Sequence, residues 1–173
     1  MLERLIIAGF GGQGVMLTGK LIATLAAGRH EHVTYFPSYG AEVRGGTAHC
    51  HVIVSDEEIA SPIVEQADTL IVMNQPSVER FWPRLVDEGL GLVNSSLASG
   101  DERPGAVEIP ATETADRLGD VRTANMVMLG AYLHRKGMFG LADAQQAVAE
   151  ALAKAGPEVL SINRQALNNG YGL

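Results

Sequence analysis

Short apolar runs alternate along this chain with longer stretches in which apolar positions recur at three- and four-residue spacing. Leu5-Ile6-Ile7-Ala8 is the first run, long enough for a buried strand, and the pattern from Val15 through Leu21, Ile22 and Leu25 is helical. Gly28 and Arg29-His30 close that helix, glycine to stop it and cations to meet the dipole. A second strand is expected at 33–36. Residues 47–55 alternate with period two, setting His49, His51 and Ile53 on one face and Ala48, Cys50, Val52 and Val54 on the other. A short helix is expected from Ser61-Pro62, then a central strand at 70–73 whose continuous apolar character implies burial on both faces. A helix over 77–85 carries Phe81 and Trp82 as packing residues and meets Pro83; a strand follows at 91–93. Residues 107–110 read as a short edge strand, since Pro110 ends it. Helices are expected over 111–118, capped by Thr112 or Thr114, and over 123–136, 142–155 and 158–168, with a frayed tail at 169–172. Gly130 inside the third-last helix costs about 1 kcal/mol relative to Ala, so another helix is expected against its backbone. The alternation predicts a single domain over residues 1–173, a three-layer α/β/α fold with a largely parallel sheet.

Between the first strand and the first helix stand Gly9, Gly11, Gly12, Gln13 and Gly14, a Rossmann-like glycine turn. Such a turn leaves backbone N–H groups at a helix N-terminus free to face an anion, with no Cβ in the way. The spacing of Gly9, Gly11 and Gly14 fits G-x-G-x-x-G, but the second strand runs into Pro37-Ser38 with no acid at its end to hold a ribose. The spacing from Gly14 to Lys20 fits a P-loop, but Leu21 stands where a Mg²⁺-binding Ser or Thr belongs. Two readings remain: an anion cradle, or glycines that only let the helix pack close to the strand.

The most unusual segment follows the second strand, Pro37-Ser38-Tyr39-Gly40-Ala41-Glu42-Val43-Arg44-Gly45-Gly46. It has little hydrophobic periodicity, and loops of this length in compact domains are often functional; the plain alternative is a solvated turn. Two further polar tips, at Asn74-Gln75 and Asn94-Ser95-Ser96, end strands where open α/β sheets place ligands. Asn125, near a helix start, is positioned to bond the glycine loops or a ligand, or to serve its own cap region. His49 and His51 offer two metal ligands on one face with no third in view.

A net charge of −7 with no basic run argues against nucleic acid. No apolar run is long enough to span a bilayer, and a strand beginning near residue 5 leaves no room for a leader, so the cytoplasm is expected. Cys50 is the single cysteine, which excludes a disulfide framework and cannot alone ligate an iron–sulfur cluster.

GFGGQGV at 9–15, SYGAEVRGG at 38–46 and TANMVMLGA at 123–131 together resemble the γ subunit of 2-oxoacid:ferredoxin oxidoreductases, across essentially the whole chain. The resemblance implies a non-autonomous subunit of a complex that decarboxylates a 2-oxoacid on thiamine diphosphate, passes electrons through iron–sulfur clusters to ferredoxin, and captures the acyl group on coenzyme A. It implies that thiamine diphosphate, its Mg²⁺ and the clusters belong to α and β partners or a ferredoxin-like δ subunit, with no cofactor tightly held here. The chain looks most like the 2-oxoglutarate type. The implied sites are the Gly9–Gly14 turn for a coenzyme A phosphate or a partner's carboxylate, and Tyr39, Glu42, Arg44, Gly45, Gly46 and Asn125 as the partner or substrate loop. A stand-alone anion- or nucleotide-binding module with a regulatory role is the competing expectation.

Overall fold

The computed structural model describes residues 1–38, 47–100 and 103–173. Its strands are β1 (Leu2–Phe10), β2 (His32–Ser38), β3 (Thr47–Ser55), β4 (Ala67–Val72), β5 (Leu85–Asn94) and β6 (Ala106–Ile109), joined in one sheet in the order β2-β3-β1-β4-β5-β6. β1, β4, β5 and β6 pair in parallel, while β3 pairs antiparallel with both β1 and β2. Among the described strands β3 alone therefore runs against the rest, and the sheet is largely parallel as expected.

Alternate residues of each strand feed two cores. Leu5, Ile7, Cys50, Val52, Ile71 and Leu92 meet α1 (Val15–Ala27), α3 (Ala111–Leu118), α4 (Ala124–Lys136), α5 (Leu141–Ala151) and α6 (Pro157–Tyr171). Ile6, Ala8, Ile53, Leu70, Val72 and Val93 meet the short α2 (Gln75–Phe81) and Val64 of the 56–66 connection. The period-two reading of β3 and the doubly buried central strand both follow from this division.

α4 and α6 cross in contact. A Cβ on Gly170 would lie 1.9 Å from the Val127 carbonyl oxygen, and one on Gly130 would lie 2.2 Å from that of Leu167. Gly130 thus marks a helix crossing, as its cost implied. Gly170 is buried and α6 reaches Tyr171, so the frayed tail is corrected: the crossing needs that last turn.

Three other boundaries differ. No helix forms from Ser61. The Ser61 hydroxyl accepts from the Ile63 N–H, and the Val64 N–H turns inward to donate to His51 Nδ1 at 3.0 Å, which takes the backbone out of helical bonding. The helix expected over 77–85 starts at Gln75, because the Asn74 side chain accepts from the Ser77 N–H, and its α-helical part ends at Phe81; a 3-10 turn over Trp82–Arg84 leads into β5 six residues before Gly91. Trp82 covers Gly91, where a Cβ would lie 2.2 Å from the indole ring. α5 ends at Ala151 rather than 155.

Candidate functional site at the carboxyl end of the sheet

β1 leads into α1 on one face of the sheet, and its parallel neighbour β4 leads into α2 on the other. The crevice between such divergent connections is where open α/β sheets take ligands. The glycine turn lies there. Gly12 (φ +93°) and Gly14 (φ +72°) are left-handed, and a Cβ on Gly12 would meet nothing within 4 Å. α1 has no side-chain cap and no acid in its first turn, so no side chain among the described residues meets its leading N–H groups.

The Gln13 side chain is engaged within the turn. Its Oε1 accepts from the Phe10 N–H at 2.6 Å and from Asn74 Nδ2 at 3.0 Å, closing the turn over β4. Asn94, fully buried, donates to the Met73 carbonyl (3.2 Å) and the Thr112 hydroxyl (2.9 Å) and accepts from the Thr112 N–H. The cap expected from Thr112 or Thr114 is therefore supplied across the sheet by Asn94. Asn125 Nδ2 donates to the Gly14 carbonyl at 3.3 Å, and a Cβ on Gly14 would lie 2.4 Å from that nitrogen. Asn125 bonds the glycine loop, one of the roles its position suggested. Gly9 packs within contact of Gln13, Met73 and Val15. The glycines thus divide: Gly9 and Gly14 serve close packing, Gly12 is open.

Beside the turn lies a cavity of about 240 Å³ with walls from Gly12, Gln13, Met73, Leu97, Val121 and Arg122. Leu97 and Val121 are each 49% exposed. Arg122, exposed at the rim, bonds Asp120 through Nε (2.9 Å) and a terminal nitrogen (2.6 Å), which holds that carboxyl below its ordinary range. On the other side of the turn, Phe10, Met16, Leu17 and Ala48 border a groove of about 280 Å³. Sequence reasoning missed Leu97, Val121 and Arg122; apolar residues inside polar connections were the signal available.

Tyr39, Glu42, Arg44, Gly45 and Gly46 lie outside the described residues. Their flanks, Ser38 and Thr47, stand at the glycine-turn end of the sheet, Thr47 paired with Phe10. Cys50 is buried beneath α1, where Gly19 makes room for its sulfur, and burial pushes its thiol up to about 12. His51 is held neutral: burial, with smaller contributions from His49 and Arg84, lowers it to about 4. No group of three metal-ligating side chains occurs among the described residues, and no helix among them is long and apolar enough to cross a membrane.

Residues 4–173 match the family model described as pyruvate ferredoxin/flavodoxin oxidoreductase. The chain is 39% identical over 171 residues to the ketoisovalerate oxidoreductase subunit VorA of Methanothermobacter thermautotrophicus, covering 96% of this chain and 35% of that protein. It thus spans about a third of that relative's length. It is 35% identical over 160 residues to the 2-oxoglutarate synthase subunit KorC of Methanothermobacter marburgensis, covering 86% of this chain and 85% of the relative. The structure superposes on the keto/oxoacid ferredoxin oxidoreductase γ subunit of Geobacter sulfurreducens with a TM-score of 0.80 at 28% identity, covering 98% and 96% of the two chains. With the 2-oxoglutarate:ferredoxin oxidoreductase of Magnetococcus marinus, solved with 2-oxoglutarate, coenzyme A and succinyl-CoA bound, the TM-score is 0.87 at 26% identity, over 99% of this chain and 30% of that one. Fold, glycine turn and end-to-end sequence match agree: the chain belongs to the pyruvate ferredoxin/flavodoxin oxidoreductase family.

Proposed function

We propose that this chain is the γ subunit of a thiamine-diphosphate-dependent 2-oxoacid:ferredoxin oxidoreductase, a cytoplasmic complex that converts a 2-oxoacid and coenzyme A to an acyl-CoA and reduces ferredoxin. The observation that carries this reading is the family match over residues 4–173, and a glycine turn whose Gly12 face is open supports it. The lone thiol is buried and protonated, so it does not fit a cluster ligand. The clusters, thiamine diphosphate and Mg²⁺ are assigned to α and β partners, with a ferredoxin-like δ subunit as a further carrier.

Coenzyme A, when bound, supplies the thiol that takes the acyl group. This chain's part is to hold its anionic end. The N–H groups at the start of α1, which no described side chain meets, face negative charge without reorganising, and the positive end of the helix adds to their pull. Arg44 is assigned to a phosphate or a partner's acid through its planar fork, with Glu42 orienting it. The substrate we assign first is 2-oxoglutarate, on the match with the KorC relative along most of both chains. The higher identity to VorA makes a branched 2-oxoacid the competing substrate.

The test is anaerobic capture of the tagged chain from its native cells, with the eluate assayed for reduction of a viologen dye. Larger subunits should co-purify, and reduction should require both coenzyme A and one 2-oxoacid, which names the substrate. A chain that elutes alone and instead binds a nucleotide tightly would establish the regulatory module in its place.

A further inference from the structure

At the carboxyl end of the sheet, one amide side chain joins the two connections that diverge there. Asn74 stands between β4 and α2, is only 3% exposed, and uses both ends of its amide. Its Oδ1 accepts from the Ser77 N–H at 3.0 Å and caps α2, while its Nδ2 donates to Gln13 Oε1 at 3.0 Å. Gln13 Oε1 also accepts from the Phe10 N–H at 2.6 Å, and the Gln13 N–H donates to the Phe10 carbonyl at 3.2 Å. The turn from Phe10 to Gln13, which contains Gly11 and Gly12, is thus closed twice, once by backbone and once by the Gln13 side chain.

This arrangement asks more of residue 74 than helix capping does. A cap needs only an acceptor, so Ser, Thr or Asp would serve α2 as well, and Asp would add a favourable charge at the positive helix end. Of these residue types, Asn alone offers an acceptor to Ser77 and, from a second atom, a donor to Gln13. The surroundings are shaped for the same bond. A Cβ on Gly9 would lie 2.7 Å from Gln13 Oε1 and 2.9 Å from the Met73 Cβ, so glycine leaves the room in which Gln13 folds back. The strand tip that carries Asn74 is itself held: Asn94 donates to the Met73 carbonyl at 3.2 Å, and the Met73 N–H donates to the Ala8 carbonyl at 2.9 Å. With two donors on Oε1 the Gln13 amide has one orientation, since turning it over would set its NH2 against both of them.

We propose that Asn74 is a positioning residue for coenzyme A: it locks Gln13, and through Gln13 it holds the glycine turn in the shape that receives the coenzyme's anionic end. Without the Asn74 donor, Gln13 Oε1 keeps one bond of two and the amide gains alternative orientations. Ordering the turn then becomes part of the cost of binding, which a preorganised turn avoids. The inference rests on the γ-subunit reading and its coenzyme A site, and it adds to that site a buried residue from a different strand.

The experiment is steady-state kinetics of the captured complex carrying Asn74→Ser, Gln13→Ala or both. Asn74→Ser keeps the cap on α2 and removes the donor to Gln13. It should raise the KM for coenzyme A about fivefold, with kcat at saturating coenzyme A and the KM for the 2-oxoacid at their wild-type values. Gln13→Ala should raise the KM for coenzyme A at least as much, and the double variant should match Gln13→Ala alone, because Asn74 then has nothing left to hold. If the serine variant does not retain the partner subunits, Asn74→Asp, which also keeps the cap, takes its place. A rise in KM that is smaller in the Gln13→Ala background supports the role, and one of equal size in both backgrounds overturns it. An unchanged KM in Asn74→Ser, or effects that multiply in the double variant, would overturn the positioning role while the γ-subunit reading stands. A wild-type complex with no coenzyme A-dependent activity would overturn that reading first, and the positioning role with it.

Discussion

On one side of the sheet, five helices bury Leu5, Ile7, Val52 and Ile71 and cross one another so tightly that two glycines are required. On the other, a seven-residue helix and the 56–66 connection cover β1 and β4 but leave Phe36 half exposed, with His51 Nε2 and the Thr34 and Ser77 hydroxyls buried without partners among the described residues. The first face is complete within the chain, and its residues serve stability. The second is complete only over its central strands, which is what a subunit needs if part of its apolar surface is finished by a neighbour. The glycine turn lies where the two faces meet, and it combines both characters: Gly14 is fixed by Asn125, while Gly12 opens outward.

The largest effect should come from the closed face. Gly170→Ala forces a methyl into the Val127 carbonyl, and urea unfolding of the isolated chain should show a loss of about 3 kcal/mol. At the junction, Gly14→Ala combines a left-handed backbone with collision against Asn125 and should cost about 2 kcal/mol in the same measurement.

The open face should respond to pH. His51 titrates near 4 in the folded chain against an ordinary value of 6.5, so between those values the unfolded chain binds the extra proton and the folded one does not. Stability is therefore full above about 6.5 and falls as pH drops toward 4, ahead of the lowered carboxyls of Asp68 and Asp120. His51→Asn keeps an acceptor for the Val64 N–H and should flatten urea midpoints over that window. Phe36→Ser should have the smallest effect on the isolated chain, within about 0.5 kcal/mol. A loss comparable with that of Gly170→Ala would place Phe36 in a self-sufficient core and remove the contrast between the faces.

Much of the closed face was legible in the sequence. Period-two alternation assigned each side chain of β3 to its face, and Gly130 announced a helix crossing through its cost alone. The partner glycine was not legible, because Gly170 sits in an Asn-Asn-Gly-Tyr sequence that reads as a loop until a neighbouring helix demands it. The helix expected at Ser61 failed for a related reason: Pro62 is a local signal, and it lost to a tertiary bond from Val64 to His51. At the site, the glycine turn could be placed from spacing, whereas for Asn125 spacing left its own cap region, the glycine loops and a ligand all open, and the bond to the Gly14 carbonyl decides for the loop. That Gln13, Asn74 and Asn94 spend their amides on closing strand tips could not, since their partners lie 18 to 61 residues away along the chain and become adjacent only after the sheet forms. Leu97, Val121 and Arg122 lie in connections whose local sequence carries no periodicity to assign them to a cavity wall.

The claim that this end of the sheet is the coenzyme A side is tested most directly by comparing Gly12→Asp with Gly12→Asn in the captured complex. Both residues tolerate positive φ better than other side chains do, both enter open space, and they differ by one negative charge at the start of α1. The account predicts a KM for coenzyme A about fivefold or more higher for the Asp variant than for the Asn variant, with the KM for the 2-oxoacid the same in both. Equal values for coenzyme A would contradict it and leave the glycine turn a packing device.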